Sequence, residues 1–273
     1  MIKHQLPQIY HHLLPREILS AEITEKLATC DACAMTADKQ GKKTPVYQAD
    51  LKCCTYEPFM PNYLLGAILK QNDPASPGAK TIREKIKNRN YSLPIGMTAS
   101  LPYQVNFNHR DPEDFGQKRE WLCSYYNKES NNCGVWRNRG AVCTTFFCKS
   151  SYGKKGLTFW QRLNDYLTYI EMALMEEALV HLDFSPRQVS GMLDYLNRHE
   201  ASAQEMKQNI LPEATAIKLW NGYYEDQAGF FMKCFEIINS MDKGQFREAI
   251  GLIGEEREQK LFESLVKVEQ ILT

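Results

Sequence analysis

The stretch Cys133-Gly-Val-Trp-Arg-Asn-Arg-Gly-Ala-Val-Cys143-Thr-Thr-Phe-Phe-Cys148 puts three thiols within sixteen residues, separated by glycine, two arginines and aromatics. Upstream stand Cys30, Cys33, the adjacent Cys53 and Cys54, and Cys123, so eight of the nine cysteines fall in the first 150 residues. An odd total suits a disulfide framework badly. Thiolates gathered in one half of a chain instead suggest metal ligands.

The rest of the composition is that of an ordinary globular protein. The 273 residues suffice for one large domain or two small ones, and the 43% hydrophobic content supports a buried core. Basic and acidic residues balance at 33 each, which removes the electrostatic argument for a nucleic-acid binder. The N-terminal segment mixes His4, His11 and His12 with a few apolar residues and lacks the apolar core of a secretion signal. No apolar run approaches the roughly 20 residues of a membrane helix. The expectation is a cytoplasmic protein with no membrane partner. In that compartment thiols stay reduced, which again favours metal over disulfides.

Working outward from the cysteines, Ser20 is a candidate cap for a helix over residues 20 to 29 that leads into Cys30-Asp-Ala-Cys33. Residues 36 to 50 are polar with Gly41 and Pro45, hence a loop. After Cys53 and Cys54, Pro58 and Pro61 limit helix, and Asn62 caps a short apolar helix from Tyr63 to Leu69. Residues 72 to 78 break the chain, and Lys80 to Arg89 form a basic, exposed helix. Pro102 to Asn108 alternates apolar and polar residues, which predicts a strand. Arg110 to Lys118 is a surface loop.

Beyond Cys148 the composition changes. Ser150 to Gly156 is a linker. Phe159, Leu163, Tyr166, Leu167, Ile170, Leu174 and Ala178 then mark one face of a long helix from Phe159 to Leu182. Ser185-Pro186 opens a helix to about Glu200. Helices follow over Glu213 to Met241, with Gly222 an interruption, over Gln245 to Ile253, and over Glu255 to Leu272. The expected fold is mainly α. A cysteine-rich metal-binding region (1–156) with little β precedes a helical bundle (157–273), and the two pack as one unit.

A Cys-x-x-Cys loop lets both sulfurs point at one centre, and Cys30 and Cys33 fit that pattern. Redox dithiols share the spacing, but the surroundings lack the strand–helix alternation of a thioredoxin. Adjacent cysteines diverge in extended backbone, so Cys53 and Cys54 need not serve one metal. With Cys123, Cys133, Cys143 and Cys148 the set suffices for one cluster with spares, two clusters, or two tetrahedral zincs.

The segment Cys133-Gly-Val-Trp-Arg-Asn-Arg-Gly-Ala-Val-Cys143 resembles the Cys-Ser-Ile-Tyr-x-x-Arg-Pro-x-x-Cys signature of the CxxCxxCC family of zinc- or iron-chelating proteins. Both cysteines, the pair Val135-Trp136 and Arg139 fall in register, and Cys123 stands where the family often has a cysteine ahead of the signature. Cys30-x-x-Cys33 and Cys53-Cys54 resemble the family's opening motif. Nineteen residues separate those two elements where the family has two, and Gly140 replaces the usual proline. The resemblance covers about 120 residues and is silent on the C-terminal helices. Flagellin lysine N-methylases carry a related cysteine cluster, and what is known of them implies an iron–sulfur centre.

The expected cofactor is therefore iron–sulfur, 4Fe-4S in type and one or two in number, with zinc as the alternative. The expected ligands are Cys30, Cys33, Cys53, Cys54, Cys123, Cys133, Cys143 and Cys148. Arg139 offsets cluster charge or binds an anion, with Arg137 a weaker candidate. Trp136, Phe146 and Phe147 supply a dry shell. Such a chain is a redox or binding module for a protein or small-molecule partner. It is alternatively a cluster-dependent enzyme, such as a methyl- or alkyl-transferring one, or a zinc-stabilised interaction protein.

Other candidates are weaker. Glu177 and His181, four apart on the long helix, read as a surface pair, since di-iron bundles use a three-residue Glu–His spacing twice. His109 reads as a loop histidine, and Cys234 and Trp220 as core. Phosphate-binding glycine loops, dinucleotide fingerprints, Gly-x-Ser-x-Gly and His-Glu-x-x-His are absent from the sequence.

Overall fold

Capped, amphipathic segments fold this chain into a mainly α protein, with 57% of the described residues helical and 4% in strands. The computed structural model describes residues 1–26, 29–31, 33–36, 46–71 and 75–272. Helix α1 is Arg16–Ser20 and α2 is Asn62–Lys70. Every residue of α2 except Lys70 is buried, the signature of a helix surrounded by core. Helix α3, Pro77–Lys87, starts where the Ser76 hydroxyl accepts the Ala79 N–H, with proline in the first turn. Ser100 caps α4, Leu101–Asn108, in the same way through the Tyr103 N–H.

Short α5, Ala141–Thr145, precedes the 28-residue α6, Gly153–Val180. Helix α7, Pro186–Leu193, opens on a reciprocal capping box between Ser185 and Gln188. Helix α8, Glu213–Trp220, stops where Asn221 and Gly222 turn left-handed at φ 45° and 91°. Helix α9 is Gln227–Ser240, and α10, Lys243–Leu272, kinks at Gly251 (φ 53°). Strands are minimal. In the first sheet β1 (Met60–Pro61) and β2 (Ser92–Leu93) flank β3 (Gly96–Met97), all antiparallel. In the second, β4 (Tyr126–Asn127) pairs with β5 (Asn132–Cys133), placing Tyr126 opposite Cys133.

One hydrophobic core runs from Ile2 to Val268 and includes the whole predicted stripe of α6, with Phe159, Leu163, Tyr166, Leu167, Ile170, Leu174 and Ala178 all at 0% exposure. Helix α6 packs along α10 and α5, and α2 packs along α9. Gly66 permits the second contact: a Cβ there would lie 1.9 Å from the Phe231 carbonyl oxygen. Cys234 and Trp220 are core residues, as the sequence suggested. Among the described residues, no helix is long and apolar enough to cross a membrane.

Several local expectations fail for identifiable reasons. Ser20 ends a helix rather than starting one, and residues 21–25 are not helical. The segment is tied down tertiarily instead. Buried Glu25 accepts from Ser150 Oγ, the Ser151 N–H and Trp160 Nε1, at 2.5–2.6 Å. Leu27 and Ala28 lie outside the described residues, as do 37–45 and 72–74 within the two expected breaks. The predicted strand over 102–108 is α4, because the Ser100 cap and Pro102 in the first turn outweigh the alternation. The expected linker gives α6 an earlier start at Gly153, while α7 ends at Leu193 rather than near Glu200. Helix α3 is not wholly exposed, since Ile82 and Lys85 are buried. The two helices expected on either side of residue 254 do form, but they divide at Gly251, whose backbone is non-helical (φ 53°, ψ −167°).

Candidate metal centre

The eight N-terminal cysteines are free and half-buried, whereas Cys234 is fully buried and apart from them. Four separate stretches deliver them. Cys30 and Cys33 lie on the loop after the Glu25 anchor, where both the N–H and hydroxyl of Thr36 donate to the Cys33 carbonyl. Cys53 and Cys54 follow a tight turn in which Lys52 takes a positive φ of 53° and donates Nζ to the Asn131 carbonyl. The Cys123 N–H donates to the Cys54 carbonyl at 2.8 Å, joining the second and third stretches. Cys133 ends the β4–β5 hairpin, Cys143 sits in α5, and Cys148 follows it.

These thiols line two adjoining cavities. The larger, about 240 Å³, has Cys30, Cys53, Cys54, Cys123, Cys133 and Cys143 in its wall. The smaller, about 170 Å³, is bordered by Cys30, Cys33, Cys53, Cys143 and Cys148. Trp136, Arg139 and Phe146 line both. Among the described residues, no three His, Cys, Asp or Glu side chains converge closely enough to hold a single metal ion. The sulfurs therefore ring space rather than meet at a point.

Crowding sets their protonation. Burial, then Cys53, pushes Cys30 up to about 11, against the pull of Arg139 and Lys52. Burial, then Cys133, lifts Cys143 to about 12. Burial likewise raises Cys123, Cys133 and Cys148. Cys53 is lowered, because the neighbouring Cys54 thiol donates a hydrogen bond to it, and Cys54 is raised correspondingly. Each thiolate disfavours the next, so burial and crowding favour the neutral thiol at most of these positions.

Arg139 is the cation already present. Its charge acts on Cys30, Cys53, Cys133 and Cys143. The guanidinium is fixed by donation to the Trp136 and Cys143 carbonyls at 3.2 and 3.1 Å, and its carbon lies 3.5 Å from the Trp136 ring centroid. Arg137 points elsewhere. It joins Lys3, His4, His11, His12 and Lys70 around a third, more open cavity of about 1110 Å³ that also reaches Trp136. Phe147 packs on Trp160 at 4.3 Å between centroids, and Phe146 on Phe115. His109 is outside the thiol cavities, with Nδ1 at 2.9 Å from the Val105 carbonyl. His181 and Glu177 form an exposed pair at 3.3 Å.

Two supports of the site were not anticipated. Glu171 on α6 accepts the Ala141 N–H at 2.7 Å and the Tyr10 hydroxyl at 3.2 Å, anchoring the start of the helix that carries Cys143. Tyr10 in turn meets the Tyr63 hydroxyl at 2.7 Å. Burial raises Glu171 to about 8. The sequence signal was a glutamate interrupting the apolar stripe between Leu167 and Leu174. Glu57 accepts Lys85 Nζ, Ser124 Oγ and the Ser124 N–H, each at 2.6 Å, and so fixes the chain beside Cys123. No signal short of the fold pairs Glu57 with Lys85. Searches against protein-family models, curated proteins and solved structures find no match for this chain.

Proposed function

We propose that this chain is an iron–sulfur protein whose thiolates grip a cluster, 4Fe-4S in type, and that it works as a redox or binding module. The observation that carries the reading is the arrangement of eight thiols from four stretches around two adjoining cavities, with Arg139 between them. Cysteines on a polynuclear cluster are held apart by the inorganic core, so a ring of sulfurs suits it better than it suits one tetrahedral zinc. The walls are largely apolar, built from Trp136, Phe146, Phe115 and Tyr56. Apolar groups around a cluster tune its potential. The family resemblance of the Cys133–Cys143 segment points the same way. A reducing compartment, the cytoplasm, is where unpaired thiols in this number persist.

Thiolates would bind the iron, Arg139 would offset the negative charge, and Glu171 and Glu57 would hold the ligand-bearing backbone in place. When bound, the cluster supplies electron-transfer or Lewis-acid chemistry. A second reading, a cluster-dependent enzyme, is favoured by the 1110 Å³ groove that shares Trp136 with the thiol cavities. Its basic lining suits an anionic small molecule.

The test is anaerobic purification of the full chain with iron, zinc and acid-labile sulfide analysis. Iron and sulfide in equal amounts, with visible absorbance bleached by dithionite, are expected. Colourless protein holding zinc without sulfide would overturn the reading. Cys143→Ser should lose metal and soluble yield. For the enzymatic reading, a small anion should perturb the cluster spectrum, and Arg137→Gln should abolish that effect.

A further inference from the structure

We infer that the groove beside the Trp136–Asn138 turn is a binding site for a mononucleotide, with Arg137 and Lys3 for its phosphate and Trp136 and Asn138 for its base. The inference rests on the reading of this groove as an anion site and is independent of what the thiols hold.

The wall is built from the N-terminal turns Ile2–His4 and Gln8–Tyr10, the end of α2, the Trp136–Asn138 turn, and Phe235 and Asn239 of α9. His11 Nε2 lies 2.8 Å from the Lys3 carbonyl oxygen and ties the two N-terminal turns together. The enclosed space, about 1110 Å³, is ample for a small organic ligand.

Charge gives the first argument. Lys3, Lys70 and Arg137 stand in this wall with His4, His11 and His12, and among the described residues no aspartate or glutamate joins them. Lys70 is already paired with Glu236 at 2.5 Å. Lys3 and Arg137 have no ion-pair partner among the described residues. Two uncompensated cations with no carboxylate in the same wall favour an anion. The planar guanidinium fork of Arg137 matches two oxygens of one phosphate.

Asn138 gives the second, independent argument. It is only 6% exposed, yet its carboxamide has no hydrogen-bond partner among the described residues, and neither amide atom is sealed from open space. Buried side-chain amides are nearly always bonded, so an unsatisfied one in a cavity wall points to a bound group. A carboxamide offers a donor and an acceptor side by side, which the edge of a nucleobase, adenine above all, answers in kind.

Trp136 supplies a surface for the base itself. The Arg139 guanidinium covers one face, 3.5 Å from the ring centroid, yet the residue is 40% exposed and borders the groove. Bases stack on such rings whatever their identity. A bare inorganic anion would use the cations and leave Asn138 and Trp136 idle.

The test titrates the full-length protein, as purified, with AMP, adenosine and inorganic phosphate, read by calorimetry and tryptophan emission. AMP should bind saturably and at least about tenfold more tightly than adenosine or phosphate. Arg137→Gln should weaken AMP about tenfold and leave adenosine unchanged. Asn138→Leu should weaken AMP and adenosine alike with the thermal midpoint preserved, because the amide makes no bond in the free protein. Arg137 is exposed, so its variant keeps the test decisive even where Asn138→Leu fails to fold. Phosphate binding as tightly as AMP overturns the nucleotide inference and leaves the anion reading standing. AMP binding untouched by Arg137→Gln places the nucleotide elsewhere and overturns the inference. Binding of none of the three overturns both, and the iron–sulfur reading is judged separately by metal and sulfide content.

Discussion

Lys85 and Glu57 form a buried ion pair at 2.6 Å, with both side chains under 10% exposed, and that pair fixes the backbone next to Cys123. Removing one partner leaves an uncompensated buried charge. Lys85→Met should cost about 3–5 kcal/mol in urea denaturation. Burial works against Glu57 ionisation, but Lys85 and the two Ser124 bonds overcome it and hold the carboxyl below the usual range. A depressed carboxyl stabilises above its unfolded pKa, and that contribution disappears as pH falls through the folded value. Acid unfolding of the wild type should therefore steepen below the ordinary glutamate pKa, and the steepening should be missing in Lys85→Met.

Glu171 predicts the opposite slope. Burial lifts it from 4.5 to about 8, so between those values the folded state holds a proton that the unfolded chain has lost. Stability from this group is present at low pH and falls as pH rises through that window, by a few kcal/mol in all. Glu171→Gln should flatten the dependence of the urea midpoint between about pH 5 and 8. An unchanged slope in the variant would assign the pH dependence elsewhere.

Gly140 occupies the position where the resembling family carries proline, and its backbone accepts one. Its φ is −65°, the preceding Arg139 is extended at φ −64° and ψ 140°, and a Cβ would meet only ordinary contacts at 3.5 Å. Its N–H donates to no group among the described residues. Gly140→Pro should raise stability by about 0.4–1 kcal/mol, read as a higher thermal midpoint, by restricting the unfolded chain.

Gly66 behaves differently. Its missing Cβ is what brings α2 against the Phe231 carbonyl, with no flexible side-chain tip available to yield. Gly66→Ala should cost at least about 1–3 kcal/mol despite the better helix propensity of alanine. A neutral or stabilised variant, measured by thermal denaturation, would mean the two helices can separate freely.

Much of the helical half was readable because its determinants are local. The stripe from Phe159 to Ala178, the Ser185-Pro186 start and the break at Gly222 each act within a few residues. The helix expected over 20–29 failed because Glu25 is fixed by groups more than a hundred residues away, Ser150 and Trp160. The alternation in 102–108 misled because a cap outranks a short pattern. Around the thiols, clustering along the sequence singled out the cysteines, and the resemblance of the Cys133–Cys143 segment singled out Arg139. Their grouping into two cavities arises from chain paths that no spacing encodes. The Glu57–Lys85 pair, 28 residues apart on different elements, was invisible for the same reason.

Trp136 gives the molecule a built-in optical probe. It is 40% exposed while Trp121, Trp160 and Trp220 are at 8%, 2% and 0%, so a soluble quencher such as acrylamide reaches one indole selectively. That ring borders the basic groove on one side and the sulfur-lined spaces on the other. Its emission will report on occupancy of either compartment without any label being attached.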